Sequence, residues 1–400
     1  MKQNPENYAP AHGAEIDPLT GLRGFAALWV LLFHVWGAAI PRRMTLDVAG
    51  WSLDFTPLFS IGWAGVQIFF VLSGFLLSLP YLEWHAGRSP RPRTFPYLVR
   101  RCTRVLPAYY LQLAILLAGG WWLQQYWPIA GLGDLLGYLA MLILPEPWGV
   151  PAINRVWWTL PIEFSFYLVL PLLAVLLARP WLWLLVALAA CVMPLWRWYV
   201  IADLAVDQPP GSRVGLGYQL PGSLDSFVIG MVAAWCYQAE AVRGWLVARR
   251  WRQESLAALG AMMGLVLMYW MHYTYRAYWT PAPITFLWTP LFSLAAAAIV
   301  LAAACGSAVL GRLFANRMML YLGTISYGIY LWHFPLISWL QKLPLSGEGY
   351  ALPWLLPACA AAAALVAALS WHGIERPAIA WVRNRLRGAA RNPASRRAIS

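Results

Sequence analysis

Arg23-Gly24-Phe25-Ala26-Ala27-Leu28-Trp29-Val30-Leu31-Leu32-Phe33-His34 is a run of ten uncharged residues closed at one end by a guanidinium and at the other by an imidazole. Read as an α-helix, the eleven steps from Arg23 to His34 make almost three whole turns and roughly 16 Å of rise, so both side chains point from one face. Apolar residues continue to Ile40, which predicts a membrane span over 24–40 with Arg23 at its mouth and His34 well inside it. Ionisable groups at such depth cost several kcal/mol by most estimates, and each one therefore asks for a partner or a task. An arginine can grip an anion here, and the histidine can take or carry a proton. A snorkelling arginine and a histidine bonded to a neighbouring carbonyl are the plain alternative.

The rest of the chain reads the same way. Of 400 residues 61% are apolar and only 11% are charged, which excludes a soluble globular domain. Because lipid satisfies no backbone hydrogen bond, the chain must cross as helices of about 20 residues each. Further apolar stretches at 58–82, 105–123, 160–178, 180–200, 216–238, 255–271, 284–305, 318–340 and 353–371 bring the expected number of crossings to ten. Residues 132–145 are short and flanked by Gly and Pro, and read as an interfacial or re-entrant segment. The expected fold is all-α, a polytopic membrane helical bundle.

Charge supports that count. The net charge of +13 can suggest nucleic acid, but ten crossings with the N-terminus inside place 22 of the 29 basic residues on the inner side. Among them are Arg88 to Arg104, Arg243 to Arg252, Arg312 and Arg317, and the arginines from Arg376 onward. No nucleic-acid partner is expected, and both termini are expected in the cytoplasm. The polar start, with Glu6, Glu15 and Asp17 outweighing Lys2, lacks the basic region of a signal peptide. The organisation expected is a cytoplasmic segment 1–23, a transmembrane domain 24–376 and a basic tail 377–400. The five cysteines show no metal-ligand spacing, and no metal site is expected.

Few other residues in the spans can carry chemistry. In Gly65-Val66-Gln67-Ile68-Phe69-Phe70-Val71-Leu72-Ser73-Gly74-Phe75, the glycines permit close helix approach, and Gln67 and Ser73 can hydrogen-bond across it. Arg100, Arg101 and Arg104 stand at the inner start of the third span, where guanidinium groups beside a helix N-terminus suit phosphate, although topology anchoring alone also places arginine there. Glu163 follows Trp157 and Trp158 at the outer end of the fourth span and reads either as an acceptor-binding or histidine-orienting carboxylate or as an interfacial one. Asp225 and His333 are embedded too, while His372, Glu375 and Arg376 suit structural pairing at the inner end of the last span. Trp121, Trp122, Trp127, Trp148, Trp157 and Trp158 gather near the outer face, as a membrane belt or as stacking surfaces for a sugar. GxSxG, HExxH and Walker patterns are missing from the sequence.

These motifs, taken in order, resemble the acyltransferase-3 family of bacterial membrane O-acyltransferases. The resemblance rests on Asp17 through His34, with ten residues between Arg23 and His34, and on Gly65 to Phe75, Arg101-x-x-Arg104, Trp158 to Glu163, Tyr327 to Pro335 and Glu375-Arg376-Pro377. It implies a ten-span protein of the bacterial inner membrane that takes an acyl group, acetyl foremost, from acyl-coenzyme A on the cytoplasmic side. The acceptor it implies is a hydroxyl of a glycan, a glycolipid or a small molecule. It further implies His34 as the catalytic residue with Arg23 and Glu163, and Arg101 and Arg104, with Arg100 and Ser73 beside them, as coenzyme contacts. Relatives with a C-terminal esterase-like domain differ from this chain, which ends in a basic tail. A transporter or flippase lined by Arg23, His34, Glu163, Asp225 and His333 is the rival reading.

Overall fold

The protein is described by a computed structural model, which covers residues 16–39, 43–48, 50–122, 129–145, 148–207, 210–341 and 352–391. Most of segment 1–23, Trp127 and the end of the basic tail lie outside the described residues. Among those described, nine helices are long and apolar enough to cross a membrane: Asp17–Ala38, Gly62–His85, Thr94–Gly119, Arg155–Leu177, Arg179–Leu204, Leu220–Gln238, Arg250–Ala277, Pro283–Ala304 and Leu355–Arg387. The first eight of these are the first to eighth spans below. The expected crossing at 318–340 is broken into two helices, Arg317–Thr324 and Ser326–Leu340, which together form the ninth. Its break at Ile325 has a local cause: the Thr324 hydroxyl bonds to the Leu320 carbonyl and the Ser326 hydroxyl to that of Gly323, so side chains compete with the helix ladder.

The bundle is turned inside out relative to a soluble protein. Leu168, Leu172, Leu195, Val266 and Leu369 are exposed on its flanks, where lipid suits them. Polar groups lie within. Asn154 and Gln112, both buried, share the Leu331 carbonyl, and the Trp157 indole donates to Gln112 Oε1 at 2.7 Å. Trp157 is therefore a core residue tying the third span to the fourth, not part of an outer belt.

Glycine sets how closely the second span packs. A methyl group on Gly74 would stand 2.1 Å from the Phe227 carbonyl oxygen, and one on Gly230 equally close to that of Val71. Only bare Cα atoms let the second and sixth spans meet at this distance. On another face, Gly65 abuts the first span at the Ala26 carbonyl. Held between the two neighbours, the second span fixes where Ser73 points.

Two smaller elements sit outside the bundle. Residues 132–145 hold the helix Leu132–Leu139, whose eight residues rise about 12 Å and cannot cross a bilayer. Tyr109 and Tyr110 of the third span donate to its carbonyls at Tyr138 and Leu139. An antiparallel hairpin of Thr45–Val48 with Trp51–Asp54 was not anticipated. Its signal was present in the alternation of Leu46, Val48, Trp51 and Leu53 with polar residues.

Candidate functional site

One cavity opens among the second, third, fourth and ninth spans and the start of the first, with about 730 Å³ of empty space including its open end. Its polar wall consists of Arg23, Ser73, Arg101, Arg104, Thr159, Glu163, Tyr167, Ser326, Tyr327 and Tyr330, and its apolar wall runs from Val66 to Leu77. Five residues singled out from the sequence, Arg23, Ser73, Arg101, Arg104 and Glu163, thus come from four separate helices to one space. Arg100 is exposed and stands outside that lining.

Glu163 is held in place. Its Oε1 accepts from the Ser73 hydroxyl at 3.2 Å and from the Tyr167 hydroxyl one turn further along the same helix. Three guanidinium groups face this single carboxylate, and among the described residues none of them approaches any carboxylate within 4.0 Å. Arg101 Nε is buried with no hydrogen-bond partner among those residues. A half-enclosed cavity with this excess of positive charge suits an anion that accepts several hydrogen bonds, and phosphate is the natural fit.

Farther in, the tyrosines close the cavity. Tyr327 donates to the Val105 carbonyl, and the Tyr330 hydroxyl reaches the Val156 carbonyl and the Thr159 hydroxyl. Sequence reasoning named the stretch 327–335 but did not foresee Tyr167, Tyr327 or Tyr330 as cavity wall. The spacings were visible: Tyr167 lies four residues after Glu163, and Tyr327 and Tyr330 are three apart on one helix face.

His34 is not part of that lining. Its ring packs 5.1 Å from His333 and 5.1 Å from Phe334, and the His333 ring stands 5.8 Å from Tyr330. Arg23 lines the cavity, and His34 packs against His333 of the ninth crossing. The cavity lining includes Tyr330 but not His34, and the His333 ring neighbours both.

Other embedded charges lie elsewhere. Arg197, fully buried, donates to the Gly222 carbonyl from Nε at 3.0 Å and Nη2 at 2.8 Å, and to the Thr285 carbonyl from Nη1 at 2.5 Å. Its guanidinium also stacks on Tyr218 and Trp279. Sequence reading did not single out Arg197, which falls within the stretch 180–200. Asp225, also buried, feels Arg197 electrostatically, yet neither carboxylate oxygen is in hydrogen-bond geometry with a partner among the described residues. Glu375 accepts from Ser370 at 2.9 Å.

Comparison with known proteins points to one chemistry. The acyltransferase-3 family, described as an acyltransferase domain, matches residues 16–372. The chain is 28% identical over 370 residues to the acyltransferase MdmB of Streptomyces mycarofaciens, covering 86% of this chain and 85% of that one. It is 26% identical over 384 residues to YrhL of Bacillus subtilis (strain 168), and 22% identical over 387 residues to the peptidoglycan O-acetyltransferase OatA of Listeria monocytogenes serovar 1/2a. Those alignments cover 92% and 90% of this chain but only 55% of either relative, so the chain spans about half the length of both. No solved structure gives a significant match.

Proposed function

We infer the reaction from the premise that this chain belongs to the acyltransferase-3 family: it moves an acyl group, acetyl foremost, from acyl-coenzyme A to a hydroxyl acceptor. The observation that carries this reading is the cavity with three guanidinium groups and one anchored carboxylate. Arg101 and Arg104 hold the donor's phosphates, with Arg23 next to them, and Arg100 steers the anion from outside. Ser73 and the apolar wall from Val66 to Leu77 flank the donor's extended arm. Glu163 offsets part of the positive charge, so that the cavity stays attractive to the donor without three cations repelling one another unopposed.

His34 acts as general base on the acceptor hydroxyl, taking its proton as the hydroxyl oxygen attacks the acyl carbon and the coenzyme thiolate departs. Since His34 lies outside the cavity lining, the final approach of the acyl carbon requires the tyrosine wall to open. The domain assigned to this reaction is 24–376, flanked by 1–23 and 377–400 on the cytoplasmic side of a bacterial inner membrane. The acceptor class follows the names of the relatives. A glycan hydroxyl is favoured by OatA, with glycolipids and small molecules as further candidates.

Proteoliposomes supplied with acetyl-coenzyme A labelled in the acetyl group test this directly. Acceptor-dependent loss of thioester, abolished in His34→Ala protein of normal stability, is the expected result. Wild-type turnover in that variant overturns the role of His34. Lipid or glycan translocation without thioester consumption overturns the reaction and favours a transporter.

A further inference from the structure

We propose that His333 is a positioning residue for His34, accepting a hydrogen bond from it and thereby fixing which ring nitrogen of His34 faces the acceptor; this rests on His34 being the base. The tautomer of His333 follows from its own helix. Its Nδ1 lies 3.1 Å from the Ile329 carbonyl oxygen, which can only accept, so the proton sits on Nδ1 and Nε2 carries a lone pair. That Nε2 is enclosed and has no hydrogen-bond partner among the described residues. A buried acceptor left without a donor calls for an explanation.

His34 supplies one. Its ring lies 5.1 Å from that of His333, while its other aromatic neighbours, Phe33 at 4.8 Å and Phe334 at 5.1 Å, offer no acceptor nitrogen. The two imidazoles are not directly bonded in this state, and a ring rotation or one bridging water closes the gap; unliganded catalytic pairs are commonly looser than reacting ones.

His333 does not act as a proton sink. Protonating its Nε2 would create a cation inside the bundle, with no carboxylate within 4.0 Å among the described residues, and burial of an unpaired charge opposes that strongly. It therefore stays neutral and receives the N–H of His34, which leaves the opposite nitrogen of His34 free as the base. Tyr330, 5.8 Å away on the same helix, links the pair to the cavity wall.

The test uses the full chain in proteoliposomes, labelled with ¹⁵N-histidine, the His34 signals being assigned by their loss in His34→Ala. His333→Leu removes the acceptor, whereas His333→Gln restores one through its amide oxygen. Expected are one His34 tautomer in the wild type and two in the Leu variant, with kcat falling about 100-fold at unchanged donor KM. The Gln variant is expected to recover at least about tenfold of that loss. Equal losses in both variants with the His34 tautomer unaltered would reduce His333 to packing and overturn the proposal, as would wild-type kcat in both. Because the tautomer signal does not depend on turnover, it decides the pairing even if His34→Ala retains activity and the reading of His34 as base fails.

Discussion

The Ser73 hydroxyl donates to Glu163 Oε1 at 3.2 Å, joining the second span to the fourth inside the cationic cavity. The same oxygen accepts from Tyr167, so removing the charge and removing one donor are separable experiments. Gln at position 163 keeps an acceptor but leaves three guanidinium groups without their counter-charge. We expect Glu163→Gln to lower kcat/KM about 10- to 100-fold, matching the 1.5–3 kcal/mol typical of a charged hydrogen bond. Ser73→Ala should cost no more than a few-fold, because Tyr167 still holds the carboxylate. Initial rates in proteoliposomes distinguish the two.

Arg101 and Arg104 line the cavity, whereas Arg100 is exposed at its side. Lysine keeps the charge but loses the planar fork that meets two oxygens at once. Arg101→Lys and Arg104→Ala are therefore expected to raise the donor KM about tenfold or more with little change in kcat. Arg100→Ala should raise it modestly, and that effect should fade at high salt, as befits a solvent-screened charge. A salt series of donor KM for the three variants checks the ranking.

Gly230 meets the second span where a Cβ would lie 2.1 Å from the Val71 carbonyl oxygen. Backbone cannot retreat as a side-chain end can, so Gly230→Val forces the two spans apart. Overpacking of this kind costs about 1–3 kcal/mol or more. The expected outcome is a clear fall in melting temperature in detergent and loss of donor binding, since the displaced span carries Ser73.

How much of this was legible follows from which signals are local. The crossings were, because lipid forces about 20 apolar residues into each and the arginines mark one side. Arg23, Ser73, Arg101, Arg104 and Glu163, which line one cavity, stood out in the sequence because charges and small polar groups within spans are few. The break at Ile325 was not, because it depends on hydroxyls turning back onto their own helix. Trp157 was misplaced for a related reason: indoles mark interfaces on average, and only the buried Gln112 partner reveals this one as core. His333 was named without a partner, and Tyr330 was missed as the wall, because ring-to-ring contact between the first and ninth crossings is a property of packing.

Arg197 and Asp225 offer the last prediction. Arg197 ties the fifth span to carbonyls at the starts of the sixth and eighth, and Asp225 is a buried carboxylate of the sixth span with no ion pair within 4.0 Å among the described residues. Arg197→Met should therefore destabilise the bundle strongly, by about 1–3 kcal/mol for each of the two buried carbonyls left without its donor. Asp225→Asn alone should cost less, because the guanidinium keeps its two carbonyls and its aromatic stack. If the charges are coupled, the double variant loses less than the sum of the single losses, since the carboxylate stranded by the first change is gone. A thermal-stability cycle over the four proteins reads that coupling directly. Strict additivity would mean that Arg197 acts only as a hydrogen-bond clamp, and that the charge of Asp225 is offset by something other than Arg197.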